Sequence, residues 1–198
     1  KFYLNKKIID IQKKSNKNVL IDENGLKYDF DIVILANHTN EASEIIKNYD
    51  KNVCSILKKF RYQKNIAFLH TDQKLMPKKK RIWSSWNYLT NKINKKSSVT
   101  YWMNKLQNLN TNKDIFVTLN PTNIPKNEKI TKVINYHHPI YDQNAFKAQK
   151  QIESFQGINN VFYAGAWNGY GFHEDGVNSA IKICHLLNFK TDLEDEPI

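Results

Sequence analysis

Residues 159–187 read NNVFYAGAWNGYGFHEDGVNSAIKICHLL, and no other stretch of the chain limits its fold so tightly. An apolar run ends at Gly165, a turn follows with Gly169 and Gly171, and a helical pattern begins near Asp175 and Gly176. Glycines between a strand end and a helix start let backbone approach a ligand closely. The unpaired N–H groups of the helix start favour an electronegative group. The same spacing also suits a tight connection that needs glycine only for its dihedral angles, so by itself it marks a ligand site of unspecified kind.

A second constraint is YDFDIVILAN at residues 28–37, where the continuous apolar run 32–36 predicts a strand buried on both faces of a parallel or mixed sheet. Before it, residues 8–11 and 18–22 with the turn Glu23-Asn24-Gly25 predict a hairpin or meander, and after it a helix is expected over 40–48. From about 53 to 142 the pattern changes. RYQKNIAFLHTD, RIWSSWNYLT, SSVTYWMNKL, DIFVTLNP and ITKVINYHHPIY alternate with period two, as antiparallel strands with one covered face do. Pro77, Pro121, Pro125 and Pro139 mark turns or strand ends. A helix over 144–155, a strand over 160–166 and a helix over 175–187 then return to the α/β pattern. The expected organisation is therefore an α/β domain interrupted by a mostly antiparallel insert, with pieces at 1–48, 49–142 and 143–190 and an acidic tail at 191–198.

Composition narrows the partners. With 198 residues, 40% of them hydrophobic, the chain can bury a core, and it carries no run long enough for a spanning helix and no apolar leader after its charged first residues. The net charge is 30 − 19 = +11, but Arg61 and Arg81 are the only arginines among the basic residues. Nucleic-acid recognition favours the arginine fork, and lysines dispersed through asparagine-rich segments read as a solvated exterior. No nucleic-acid partner is expected. The run Lys78, Lys79, Lys80, Arg81 reads as a solvated loop, with peripheral contact to an anionic membrane face as the functional alternative. Cys54 and Cys184 have no CxxC spacing and are expected to be buried, apolar and reduced, in a cytoplasmic setting. His137 and His138, adjacent on a strand, point to opposite faces, and with His70 and Asp72 they make a poor metal set, so no metal site is expected. Trp83, Trp86, Tyr88, Tyr101 and Trp102 fit either a packed core or the wall of an apolar substrate tunnel.

The segment YAGAWNGYGFHEDGVNSA resembles the C-terminal flavin-binding motif of the amine oxidase and phytoene desaturase superfamily. Together with FRYQKNIAFLHTDQKLMPKKKRIWSSWNYL, VTYWMNKLQNL, FVTLNP and HHPIYD it resembles, more closely, bacterial FAD/NAD-binding oxidoreductases associated with cyclopropane fatty acid synthases. The resemblance runs from about residue 5 to 187. It implies the C-terminal part of a split FAD-binding Rossmann-like domain, with an inserted, mostly antiparallel α+β substrate domain. The family's GxGxxG loop lies in an N-terminal half that these residues do not contain, so that half is the implied partner and the chain alone is expected neither to hold FAD nor to act.

Carried over by position, Ile8 matches a strand touching the adenine and Ala36 a strand end near the cofactor. Gly165 matches the glycine beside the ribityl and pyrophosphate, with Ala166 following it, and Asp175, Gly176 and Val177 lie at the helix start aimed at the flavin pyrimidine. Two positions depart from the amine oxidase pattern. Ala166 stands where an acid is usual, and His173 stands where a tyrosine of the amine cage is usual. A simple amine substrate is therefore disfavoured, and His173 becomes the one candidate catalytic side chain, with helix capping as its structural alternative. Trp86, Tyr101, Trp102 and Tyr170 are the candidate substrate-lining residues. The implied activity is hydride transfer from a lipid-like, fatty-acyl substrate to FAD in the cytoplasm or peripherally at the inner membrane face. The alternatives are a flavin amine oxidase and a non-catalytic remnant or binding module of the same fold.

Overall fold

The computed structural model describes residues 1–90 and 97–190, so the acidic tail expected at 191–198 lies outside the described residues. The chain divides into two compact units, Lys1–Tyr62 with residues 139–190, and Gln63–His138.

The chain begins with the antiparallel meander β1 (Ile8–Lys14), β2 (Lys17–Asp22) and β3 (Lys27–Phe30). The polar residues ahead of the apolar run 32–36 thus supply a third meander strand. The buried carboxylate of Asp22 makes the β2–β3 turn by accepting the N–H groups of Asn24 and Leu26 and the hydroxyl of Tyr28. Then come β4 (Val33–Leu35), α1 (Thr39–Ile46) and α2 (Lys51–Leu57). The second unit contributes β5 (Arg61–His70), β6 (Trp86–Thr90), β7 (Ser97–Trp102), the single turn α3 (Met103–Leu106), β8 (Phe116–Leu119) and β9 (Ile130–Ile140). Its five-stranded sheet has the order β6-β7-β8-β5-β9, and each alternating segment read from the sequence supplies one strand. The chain returns through α4 (Gln143–Glu153), β10 (Val161–Tyr163) and α5 (His173–Leu186).

In the first unit β4 and β10 pair in parallel, with Val33, Ile34 and Leu35 beside Val161, Phe162 and Tyr163. The apolar stripes of α1 (Ala42, Ile45, Ile46), α2 (Val53, Ile56, Leu57) and α4 (Ala145, Ala148, Ile152) cover Val33, Leu35, Val161 and Tyr163 in one core. Aspartates start two of these helices. Asp50 accepts from Asn52 and Val53 N–H, and Asp142 from Asn144 and Ala145 N–H. The capping hydrogen bond from Ala145 N–H and the guanidinium of Arg61 hold the Asp142 carboxyl below its usual range.

Three expectations are corrected here. The run 32–36 is not buried on both faces. On the second face α5 covers Phe162 through Ile183, but Ile34 beside it is 47% exposed among the described residues. Residues 49–62 belong with the first unit, because Val53, Ile56, Leu57 and Phe60 join the β4–β10 core, and the units divide at Tyr62 and Pro139 rather than at 49 and 142. Cys184 is only partly buried, because α5 turns that side half toward solvent, whereas Cys54 is buried with its thiol on the Ser43 carbonyl.

The free edge of β10 shows how a two-strand parallel sheet is closed. Ala164 N–H bonds Leu35 O on the β4 side, so Tyr163 directs its N–H and C=O the other way. There the Gln156 side-chain amide takes both, donating to Tyr163 O at 2.8 Å and accepting Tyr163 N–H at 2.9 Å, as a neighbouring strand would. Gln156→Ala would leave both groups of the buried Tyr163 unpaired, and a loss of about 1–3 kcal/mol in urea unfolding is expected.

Candidate functional site

The glycine turn after β10 lies at the carboxyl ends of the two parallel strands, where open α/β sheets bind ligands. Its backbone is held from several sides. Ser179 of α5 accepts Gly165 N–H and donates to Gly176 O, while Gln149 of α4 donates to the carbonyls of Trp167 and Gly169. Asp175 Oδ2 accepts the N–H groups of Tyr170 and Phe172, both at 2.9 Å, which ties the turn to the first turn of α5. Gly165 has φ +142° and Gly171 φ +91°, conformations that side chains rarely adopt. A Cβ on Gly165 would lie 2.6 Å from Trp167 Nε1, and one on Gly171 would lie 2.5 Å from the hydroxyl of Tyr141.

Around this turn, buried polar atoms lack partners. Among the described residues, the Tyr141 hydroxyl and Asn37 Oδ1, the latter just beyond β4, have no hydrogen-bond partner. Burial pushes the Tyr141 phenol up to about 12, with Tyr62 and Asp175 adding to the shift. Tyr62 accepts the N–H and the hydroxyl proton of Thr39 and stacks on His38 at 5.0 Å, and burial raises its phenol also. Trp167 Nε1 donates to Asn37 O, joining the ends of β4 and β10. Orphaned acceptors are rare in folded chains and cost stability.

The expected cofactor residues are placed as follows. Gly165, Ala166, Asp175 and Gly176 come together at the turn and helix start, with Ala166 the nearest neighbour facing Gly176. Asp175 is taken up by backbone N–H groups of the turn. Val177 and His173 are exposed on the first turns of α5, and Ala36 is exposed after β4. Ile8 opens β1 and is half-buried against the core. Tyr141, Asn37 and Tyr62 were missed in the sequence. Tyr141 lies within HHPIYD and Asn37 closes VILAN, but nothing in either motif signals an unpaired polar atom.

On the far side of β10, α4 and α5 leave a cleft of about 790 Å³ lined by Tyr163, Ile181, Ile183 and Leu186 with polar Gln149 and Lys182 at its walls.

The sheet of the second unit separates its two faces by chemistry. Asn87, Thr100, Thr118, Phe68, Trp102, Phe116 and His70 share one face by register. Met76 and Trp83 of the 73–83 segment cover Phe116 and Trp102 there, with Trp83 edge-on to both rings. A hydrogen-bond chain crosses this face. Asp72 N–H fixes His70 Nδ1 as acceptor, so Nε2–H donates to Thr118 at 2.7 Å, Thr118 donates to Thr100 and Thr100 to Leu75 O. Burial lowers His70 to about 4, with Asp72 offsetting part of the effect. Burial alone would raise Asp72, but the N–H groups of Lys126 and Lys74 and the ammonium of Lys129 hold it below its usual range. Of the expected substrate-lining residues, Trp86 and Tyr101 face each other across β6 and β7 on the opposite face. Trp102 does not join them. Alternation turns it to the covered face, where its indole donates to Asp114, so it packs instead of lining a tunnel. Tyr170 belongs to the first unit and is 67% exposed. In the Lys78 to Arg81 run, Lys80 pairs with Asp114 at 2.9 Å and lies over Trp83, while its neighbours are exposed.

No protein-family model matches the chain, and no curated protein matches it. Among solved structures the chain is similar to the CLA-producing fatty acid isomerase from P. acnes, with TM-score 0.58 and 14% identity over 92% of this chain and 47% of that one. It is also similar to reduced UDP-galactopyranose mutase, with TM-score 0.61 and 12% identity over 97% of this chain and 49% of that one. The chain spans about half the length of these structures. At such identity the likeness shows a shared fold: a mixed α/β chain built like the matching half of these enzymes. Neither supports the narrower placement beside cyclopropane fatty acid synthases. No helix among the described residues is long and apolar enough to cross a membrane.

Proposed function

We propose that this chain is the C-terminal part of an FAD-dependent oxidoreductase that takes a hydride from a lipid-like, fatty-acyl substrate. The observation that carries the reading is the turn at residues 165–171, with two glycines at positive φ and the unpaired Tyr141 hydroxyl and Asn37 Oδ1 around it, at the carboxyl ends of parallel strands. These features fit a dinucleotide, which needs close backbone approach and polar partners. When bound, FAD would supply the two-electron acceptor chemistry. The first-turn N–H groups of α5 would present a positive dipole end to it, with Gly165, Ala166, Gly176 and Val177 along its length and Ile8 and Ala36 at its other contacts.

The first unit, residues 1–62 with 139–190, is proposed as the cofactor-holding part and residues 63–138 as the substrate domain. A partner segment carrying a strand, a GxGxxG loop and a helix is proposed to complete the parallel sheet beside β10, where Gln156 now mimics a strand and the cleft between α4 and α5 has room. The fatty-acid isomerase among the similar structures supports the lipid-like substrate. His173, exposed at the start of α5, is proposed as the side chain that takes up or returns a proton at the substrate. The protein is proposed to work in the cytoplasm, with peripheral contact to the inner membrane face as the alternative.

The test uses the purified product of the whole open reading frame under anaerobic conditions. Long-chain fatty acids are expected to bleach its visible absorbance, whereas simple amines are not. Bleaching by amines alone would favour an amine oxidase, and no bleaching by either would favour a non-catalytic module. His173→Ala is expected to slow the bleaching by about 100-fold or more while leaving the starting spectrum unchanged.

A further inference from the structure

We infer that the loop of residues 77–83 is a docking surface for an anionic bilayer, on which Lys78, Lys79 and Arg81 meet lipid phosphates and Ile82 enters the acyl boundary. The inference rests on the peripheral membrane contact named above and gives that contact a surface.

The loop is closed and held at both ends. Met76 before it and Trp83 at its end are buried with Phe116, and the Trp83 indole donates back to Pro77 O at 2.7 Å. Within that span Ile82 N–H bonds Lys79 O and Trp83 N–H bonds Lys80 O. The four basic side chains then take different directions. Lys80 lies 2.9 Å from the Asp114 carboxylate and over the rings of Trp83 and Trp102, which fastens the loop to the covered face of the sheet. Lys78, Lys79 and Arg81 are exposed, and none has an acidic partner among the described residues. Ile82 is 59% exposed although the next side chain, Trp83, is only 8% exposed.

A lysine run that merely keeps a surface wet needs neither anchors nor an exposed isoleucine. Here the burial of Trp83 fixes a turn that gathers three unpaired cations within four consecutive residues, where they repel one another, and leaves an apolar side chain beside them. A partner that is anionic at its surface and apolar just beneath relieves both costs. A bilayer has these two layers, headgroup phosphates for the cations and the acyl boundary for Ile82. Nucleic acid offers the charge but gives Ile82 no apolar layer, and its recognition favours arginine, of which the loop holds one. Because the anchors already order the loop, docking forfeits little conformational freedom.

The test is co-sedimentation of the purified product of the whole open reading frame with vesicles of phosphatidylcholine and phosphatidylglycerol in equal parts, and with phosphatidylcholine alone. Binding to the anionic vesicles is expected, and none to the neutral ones. Replacing Lys78, Lys79 and Arg81 together by Ala is expected to weaken binding roughly 100-fold. Ile82→Ser, which leaves the charge unchanged, is expected to weaken it about 10-fold. The net charge of +11 calls for a charge-matched control. Replacing the exposed Lys27, Lys51 and Lys147 together by Ala is expected to change binding about twofold or less, because these charges lie away from the surface in contact. Circular dichroism checks that every variant folds. Absent binding to anionic vesicles, equal binding to neutral ones, equal losses from the two triple variants, or affinity indifferent to Ile82→Ser would overturn the inference. So would tighter binding of duplex DNA through the same three cations, since the loop would then serve nucleic acid. The visible spectrum is expected to be the same in every variant. Failure of docking therefore leaves the flavoprotein reading standing, and a colourless protein that docks as described leaves this surface standing.

Discussion

Gly165→Ala is expected to lower stability by about 3 kcal/mol, far more than the same change at another positive-φ glycine. Gly165 has φ +142° and ψ 161°, a region populated almost only by glycine, so the alanine is strained before any contact is considered. The added Cβ would also meet Trp167 Nε1 at 2.6 Å. That indole is 3% exposed, packs edge-on to Phe60 at 5.1 Å and donates to Asn37 O, so its displacement disturbs the core and the β4 end together. Gly25 supplies the control. Its φ is +78° with open space around it, and Gly25→Ala is expected to cost about 1 kcal/mol. Urea midpoints of the two variants decide the matter, and equal losses would contradict the account of the turn. The full-length protein carrying Gly165→Ala is expected to lose its cofactor, because the same turn is proposed to approach it.

The second large effect is on pH. His70 titrates near its ordinary 6.5 when unfolded and at about 4 when folded, because burial disfavours the charged ring. A folded pKa below the unfolded one means that stability is complete above 6.5 and is lost as pH falls from there toward 4. The loss is about 1.4 kcal/mol per pH unit and on the order of 3 kcal/mol in all. Protonation also breaks the chain, since Nδ1 would carry a proton facing Asp72 N–H. Asp72 acts in a separate window. Its carboxyl is held below the usual range, so its contribution survives until pH falls below the ordinary carboxylate value. Urea midpoints measured between pH 7 and pH 4 are expected to fall steeply for the native chain and to stay nearly level for His70→Gln, which has no titrating ring. Parallel slopes would show that the ring is not held neutral.

The parts of the fold that were readable depended on local chemistry. The strand, glycine turn and helix of residues 159–187 could be placed because glycine spacing and apolar runs are set by neighbours in sequence. The strands of the second unit could be placed because alternation has period two. Alternation does not say which face is covered, however. Tyr101 and Trp102 are adjacent and chemically alike, and only the position of Trp83 and Met76 sends Trp102 inward and leaves Tyr101 on the open side. The α2 helix was hidden because it is short, at seven residues, and its lysine-rich flanks resemble a loop. The unpaired Tyr141 and Asn37, and the pairing of Lys80 with Asp114, arise from residues distant in sequence, and no spacing rule reaches them.

The central claim is that the glycine turn at the ends of β4 and β10 serves a flavin. The visible absorption spectrum of the purified product of the whole open reading frame tests it most directly. The account predicts the two-banded spectrum of oxidised flavin, released as FAD on denaturation and lost on introducing Gly165→Ala. A colourless, folded protein that does not take up added FAD would contradict it.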